Sequence, residues 1–285
     1  MVGAPVDLHH QGVKRVIGAY VVETEDGPAV FDCGPSSCVE ALRRGLRSHG
    51  LELTDVRHLL LSHIHLDHAG AAGVLVREHP RLQVHVSEIG APHLIDPKRL
   101  ERSARRLYGD LFDSLWGELA PVPAENVRVV GDVVLGLECF PTPGHASHHV
   151  CYLAPDGTLY AGDAAGVRIQ PYGFVLPPTP PPEFDPEAWA RTLDEIRRRA
   201  PERLALVHFG FADDVEPHLG ELRGRLDEWV GRVGGGLDEQ AFAEAAREDL
   251  RDAGGAAAVD EYERAMPFWQ SYAGLRRYCE KRAAA

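Results

Sequence analysis

The strongest constraint on this chain is a short apolar run at residues 56–61 that leads into four side chains able to bind a metal. A nearly continuous apolar run of this length predicts a strand covered on both faces. His63 and His65 follow two residues apart, so an extended backbone directs both imidazoles to one side. Asp67 and His68 come next, across a turn into a helix. Because open α/β sheets bind ligands at the carboxyl ends of their strands, this arrangement predicts a metal site.

Strand and helix patterns alternate around this cluster. An Asp26-Gly27 turn between two β-rich stretches predicts a hairpin within residues 17–33. Short connections between such alternating elements are typical of a domain that packs helices on sheets. Helices are predicted at residues 37–48, 69–78 and 186–199, and strands at residues 83–86, 127–130, 133–139, 150–153, 158–160 and 204–207.

Three segments interrupt or extend this pattern. Leucines and aromatic residues at helical spacing predict a helical insertion at about residues 97–119. Repeated prolines predict a stiff, exposed loop at residues 166–186 that can line one side of a site. Helices are predicted at residues 219–233, 238–253 and 259–279, separated by glycine runs. We therefore predict one domain at residues 1–213 with a C-terminal helical extension at residues 214–285.

Composition limits the classes of partner. A formal net charge of −13 disfavours nucleic acid as a partner, and 44% hydrophobic with 26% charged residues is typical of a globular protein. Five scattered cysteines without CxxC spacing argue against a disulfide framework. Because the chain has no apolar leader pattern and no long apolar stretch, we expect no membrane association and a cytoplasmic location.

Three further candidate ligands follow predicted strands elsewhere in the chain. His145 stands in Pro-Gly-His, Asp163 in Gly-Asp, and His208 at the end of an apolar run. Histidine and carboxylate donors without a thiolate suit zinc, with iron or manganese as alternatives. A closed structural site needs only four ligands, so this larger set predicts more than one metal.

The order HxHxDH, Pro-Gly-His, Gly-Asp and a strand-terminal histidine resembles the metallo-β-lactamase superfamily, with the glyoxalase II-like hydrolases most similar. The resemblance implies an α+β fold, a four-layer αβ/βα sandwich, with the helical insertion and the C-terminal helices outside the shared pattern. It also implies two divalent metal ions. The implied ligands are His63, His65 and His145 for one metal and Asp67, His68 and His208 for the other, with Asp163 bridging both.

The same resemblance suggests a reaction. Two metals about 3.5–4 Å apart can share a water and hold it as hydroxide, and Asp67 is expected to orient that nucleophile as the catalytic residue. The expected substrate is a small ester, thioester, lactone or related molecule. Asp32, in an Asp-x-Gly motif, is expected to hydrogen-bond a ligand histidine. Cys33 stands where many relatives have threonine, and it has no evident activating partner.

Other functions remain open at this stage. Relatives that resemble persulfide dioxygenases use one iron, which His63, His145 and Asp163 would hold here. RNA-processing relatives share the HxHxDH motif, although the acidic composition disfavours that function. A non-catalytic metal-binding protein would require lost ligands, and none is lost. The C-terminal helices either cap the site or form a homodimer interface.

Several residues near the motifs have no assigned role. His148 and His149 either face the site or have a structural or solvated role. His9, His10 and Arg15 either line the mouth of the pocket or lie in a solvated loop, and the solvated loop is favoured. Five aromatic residues either form a substrate pocket or pack in the core: Tyr108, Phe112 and Trp116 of the insertion, and Tyr172 and Phe174 of the proline-rich loop. Core packing is favoured for the three residues of the insertion.

Overall fold

A computed structural model describes residues 3–284 of the chain. Contacts divide the chain into two units. Unit 1 comprises the chain up to Pro141 together with His148–Pro155, and unit 2 comprises Thr142–Ser147 together with the chain from Asp156 onward. The predicted boundary at residue 213 differs from this division and remains a proposal about the domains.

The predicted apolar strand lies inside a six-stranded sheet of unit 1. Its strands, which follow one another in chain order, are β1 (Val6–Asp7), β2 (Gly18–Thr24), β3 (Gly27–Phe31), β4 (His58–Leu60), β5 (Gln83–Val86) and β6 (Val127–Val129). β1, β2 and β3 pair antiparallel, and β3 to β6 pair parallel. The parallel strands β3 and β4 therefore end at the same edge, which brings residues 32 and 62–63 together.

The helices of unit 1 lie in or beside the predicted segments, apart from a short helix at residues 91–95 that was not predicted. They are α1 (Val39–Ser48), α2 (Leu66–Ala69), α3 (Ala72–Glu78), α4 (Ala91–Ile95), α5 (Lys98–Tyr108) and α6 (Phe112–Trp116). The predicted insertion corresponds to α5 and α6, and Gly109, at φ +54, ends α5. Phe112 is fully buried with Leu66 and Ala104, and Tyr108 and Trp116 pack against this cluster. Core packing, the favoured use of these three aromatic residues, is confirmed.

One predicted strand is a hairpin. The prediction of a single strand at residues 133–139 is wrong, because the structure has β7 (Val133–Val134) and β8 (Leu137–Pro141) paired antiparallel. Leu135 and Gly136 both have positive φ, at +54 and +83. Two such residues form a tight turn whose twist matches the strands, and leucine gives no sequence signal for it. β8 pairs with β9 (Val150–Leu153) in unit 1.

Unit 2 places two parallel strands and a capped helix beside each other. β10 (Thr158–Tyr160) pairs parallel with β11 (Arg203–Leu206), which pairs antiparallel with β12 (Gly210–Ala212). α7 (Pro186–Arg199) begins as predicted, because the Asp185 side chain accepts a hydrogen bond from the Ala188 amide. β10 and β11 end at one edge, which brings the residues that follow them together.

The C-terminal helices are α8 (Val215–Gly234), α9 (Glu239–Ala265) and α10 (Phe268–Ala283). Their predicted breaks are partly wrong. Gly254 and Gly255 have non-helical torsions but only kink α9, which continues to Ala265. The predicted helix at residues 259–279 is instead interrupted before Pro267, because proline removes an amide and restricts the residue before it.

The proline-rich loop is not an exposed segment. Its central residues 174–179 are buried, and Val167 and Leu176 form a backbone bridge within it. Phe174, Val175 and Leu176 supply apolar side chains that the prolines conceal in the sequence pattern. The prediction of an exposed loop is therefore wrong, because apolar burial outweighs the preference of proline for the surface.

Within residues 3–284, no helix has the length and apolar character needed to cross a bilayer. The five cysteines are free thiols, and Cys279 is half-buried while the other four are buried.

Candidate metal centre

His63 and His65 converge as the sequence predicts. Both follow β4, and the Nε2 of His63 lies 2.9 Å from the Nδ1 of His65. The ligand atoms of His63 and His68 lie within 4.8 Å of each other, as do those of Asp67 and His68. His63 and His68 are fully buried, whereas His65 and Asp67 are half-buried. Unit 1 therefore brings all four predicted ligands of the HxHxDH motif to one place.

Asp32 anchors this cluster from the neighbouring strand. The Nδ1 of His68 donates to Oδ2 of Asp32 at 2.7 Å, as predicted. Ser62 donates its amide to Oδ1 at 2.8 Å and its hydroxyl to Oδ2 at 2.7 Å. Burial raises the pKa of the Asp32 carboxyl, and the contacts with His68 and Ser62 act in the opposite direction. Asp32 therefore fixes the ring orientation of His68.

The tautomers of two unit 1 histidines follow from these bonds. Because the Ser62 hydroxyl donates to Asp32, it accepts from the Nδ1 of His63, 2.9 Å away. With Nδ1 protonated on both His63 and His68, Nε2 carries the lone pair that a metal ligand needs. Cys33 lies beside them, but burial raises the pKa of its thiol, and its sulfur contacts the His68 carbonyl at 3.3 Å.

His148 and His149, whose roles the sequence left open, both pack against His63. The His63 ring centroid lies 5.9 Å from that of His148 and 4.9 Å from that of His149. His148 also meets His65 edge-on at 5.5 Å, and Ser87 donates to its carbonyl. Both rings are buried. The two histidines therefore line one side of the predicted ligands His63 and His65 in unit 1.

The expected solvated loop is wrong for His10. His9 is exposed, but His10 is buried, stacks on Trp116 at 5.4 Å, and lies 3.6 Å from the Cys38 sulfur through Nδ1. The helical insertion supplies the flat aromatic face that covers the imidazole. A single histidine before a strand gives no such signal, because its partner comes about a hundred residues later in the chain.

In unit 2, Asp163 lies between two predicted ligands. Its Oδ2 lies 3.3 Å from Nε2 of His145, and its Oδ1 lies 3.6 Å from Nε2 of His208. All three side chains are buried. Asp163 follows β10 and His208 follows β11, so the parallel pairing of Tyr160 with Ala205 brings the two together.

The segment that carries His145 is held on α7. Gly144, at φ +140, lies so close to Trp189 that an added Cβ would stand 2.3 Å from the Trp189 Cβ. Thr192 donates to the Pro143 carbonyl at 2.6 Å. The Nδ1 of His145 donates to the Pro178 carbonyl at 2.8 Å, which leaves the lone pair on Nε2, the nitrogen that faces Asp163.

The donor chemistry of both units suits divalent metals. The predicted ligands are five imidazoles and two carboxylates without a thiolate, the donor set that zinc, iron and manganese accept. Hydrogen bonds at the opposite ring nitrogen of His63, His68 and His145 match the support that metal-bound histidines require. These residues therefore fit the metals that the motif implies.

The family model of the metallo-β-lactamase superfamily matches residues 15–208, more than half of the chain. The chain belongs to this superfamily. A metallo-β-lactamase family protein from Thermus thermophilus superposes with a TM-score of 0.72 at 20% identity, covering 99% of this chain and 94% of that one. This likeness confirms the predicted α+β sandwich fold, and it extends through the C-terminal helices, beyond the family match.

Other relatives agree with this assignment. The metallo-β-lactamase fold-containing protein of Sulfurisphaera tokodaii is 28% identical over 181 residues, which are 60% of this chain and 67% of that protein. A hydroxyacylglutathione hydrolase of Alkalilimnicola ehrlichii is 29% identical over 199 residues, which are 70% of this chain and 65% of the other. The protein TTHA1623 was solved in a di-iron-bound form; it superposes with a TM-score of 0.54 at 26% identity, covering 74% of this chain and 93% of that one.

Proposed function

We propose that this member of the superfamily is a hydrolase with a dinuclear, zinc-containing centre. His63, His65 and His145 would hold one metal, and Asp67, His68 and His208 the other. Asp163 would bridge the pair. When bound, two divalent metals act as Lewis acids and lower the pKa of water toward neutrality.

The geometry of Asp163 carries this proposal. Its two oxygens face different histidines, Oδ2 toward His145 and Oδ1 toward His208. The family resemblance assigns those histidines to different metals. A carboxylate that only supported one histidine would not need its second oxygen near another imidazole. The arrangement therefore supports a bridging role for Asp163.

Asp67 is the proposed catalytic residue. Its Oδ2 lies 3.8 Å from Nε2 of His68, and its side chain is 18% exposed whereas that of His68 is buried. Asp67 can thus reach solvent that His68 cannot. We propose that it binds metal through one oxygen and accepts a hydrogen bond from the attacking water through the other, which orients the water toward the substrate.

The substrate is proposed as a small ester, thioester, lactone or related molecule. One relative is named a hydroxyacylglutathione hydrolase, so an acyl-glutathione heads the panel to be tested. The sequence prediction of a cytoplasmic protein without a nucleic-acid or membrane partner remains a proposal as well.

The test combines metal content and hydrolysis. We expect the zinc-loaded protein to bind two equivalents and to hydrolyse part of an ester, thioester and lactone panel. Asp163→Ala should lose one or both metals and all hydrolysis. Asp238→Ala is the matched control, because that aspartate only caps α9 by accepting from the Ala241 amide. Hydrolysis retained by Asp163→Ala would refute the bridging role.

Metal identity separates the alternative reactions. Because the relative TTHA1623 was solved in a di-iron-bound form, iron is included with zinc among the metals to be loaded. One tightly bound iron with sulfur-oxidising activity and no hydrolysis would favour the mononuclear oxidoreductase. Salt-sensitive RNA binding would favour the RNA-processing function.

A further inference from the structure

A loop at residues 163–179, called the ligand loop below, contacts all three predicted ligands of unit 2. Asp163 begins it, and its Pro178 carbonyl accepts the hydrogen bond from His145. Between them, the Arg168 amide donates to the His208 carbonyl at 2.7 Å, and the Phe209 amide returns a bond to the Arg168 carbonyl. The position of this loop therefore affects all three ligands of unit 2.

Helix α8 holds the first part of the ligand loop. The Nε2 of the buried His218 donates to the Ala165 carbonyl at 2.7 Å. Burial lowers the pKa of His218, so the ring is neutral and its Nδ1 faces the Arg168 guanidinium at 3.5 Å. Arg168 in turn pairs with both carboxylate oxygens of Asp214, just before α8. Two residues after Asp163, the backbone is thus tied to α8.

Helix α9 holds the middle of the loop. The fully buried Tyr262 hydroxyl accepts from the Ile169 amide at 2.9 Å and donates to the Phe174 carbonyl. Tyr172 packs where Gly254 kinks α9, so closely that an added Cβ on Gly254 would stand 2.3 Å from the Tyr172 ring. The kink in α9 therefore accommodates a side chain of the ligand loop.

The last part of the loop is bound by α8 and α10. The Val175 amide donates to the Glu221 carboxylate of α8 at 3.0 Å. Thr179 donates to the Ser271 carbonyl of α10 at 3.1 Å, and a Cβ on Gly274 would stand 2.0 Å from the Thr179 carbonyl oxygen. Each C-terminal helix thus contacts the backbone of the ligand loop.

We propose that the C-terminal helices are a positioning element of the metal centre, with His218 and Tyr262 as its positioning residues. This inference rests on the proposed function. The loop lacks regular secondary structure over most of its length, and buried backbone groups require partners. Side chains of α8 and α9 supply those partners at Ala165, Ile169, Phe174 and Val175. Without them, the loop relaxes and the ligands on it lose their alignment.

The first test measures zinc affinity by competition with a chelating dye, using the full chain. His218→Leu removes the donor to Ala165, and Tyr262→Phe removes a single hydroxyl. We expect each to bind zinc about 10- to 100-fold more weakly, as when outer partners of metal ligands are lost. His218→Gln restores an N–H donor of similar reach and should recover most of the affinity.

Trp229→Phe is the matched control. Trp229 is buried in α8 like His218, but it packs against Phe242 and Phe268. It should lower the free energy of unfolding without weakening zinc binding. An equal loss of zinc affinity in this control would overturn the inference, because metal binding would then follow global stability.

The second test needs no metal. Amide hydrogen exchange of the metal-free protein should show faster exchange at Ile169 in Tyr262→Phe and unchanged exchange in β4. If His218→Leu and Tyr262→Phe both exchanged and bound zinc as the wild-type protein does, the positioning role would be overturned. A wild-type protein that binds fewer than two metals would contradict the dinuclear proposal alone, since the exchange result does not depend on metal.

Discussion

Replacement of Asp32 by alanine tests how the sheet supports the predicted ligands of unit 1. The fully buried carboxylate accepts hydrogen bonds from the Ser62 amide, the Ser62 hydroxyl and the Nδ1 of His68. The hydroxyl can rotate to another acceptor, but the amide and the imidazole cannot. Two buried donors without partners cost about 1–3 kcal/mol each.

The two unpaired donors together give a loss of about 2–6 kcal/mol for Asp32→Ala, a large part of the roughly 5–15 kcal/mol that stabilises a typical domain. Urea denaturation of the metal-free protein measures the free energy of unfolding. Asp185→Ala is the control, because it removes one helix cap from α7 and should cost about 1 kcal/mol. A loss in Asp32→Ala no larger than in the control would refute the role of Asp32.

Two further predictions concern residues away from the metal ligands. Burial lowers the pKa of His85 to about 4, next to His58, so its contribution to stability is complete above about pH 6.5 and is lost as the pH falls to about 4. His85→Gln should therefore reduce the pH dependence of the unfolding free energy in this window by about 2–4 kcal/mol, and superimposable wild-type and variant profiles would contradict this. Cys279 is the half-buried thiol, so a disulfide reagent should modify one thiol rapidly in the native protein and none in Cys279→Ser.

The sequence predicted the residues that directly follow strands. His63, Asp32 and His208 stand at strand ends, where the parallel register fixes what lies beside them, so their neighbours follow from the order of strands. The hydrogen bond between Asp32 and a ligand histidine was instead predicted from the family's Asp-x-Gly motif, and the structure identifies His68 as the histidine that donates to Asp32.

The contacts that shape the ligand loop were not predictable. His218 and Tyr262 lie in helices whose pattern is explained by ordinary core packing, and nothing local distinguishes them from other buried residues. Their partners lie 53 and 93 residues earlier in the chain. The hairpin at Leu135 was missed because that residue seldom adopts positive φ.

Glycines mark irregular points in the predicted helices, but not every such glycine ends a helix. Gly109 ends α5, whereas Gly254 only kinks α9, at a point where the ring of Tyr172 occupies the space that a side chain would need. The glycine makes room for this tertiary contact, which a local pattern does not contain.

The most direct test of the dinuclear centre is a crystal structure of the zinc-loaded protein with anomalous scattering recorded at the zinc edge. The account predicts two zinc peaks about 3.5–4 Å apart, with one oxygen of Asp163 directed at each. A single peak, or two peaks of which neither contacts Asp163, would contradict it.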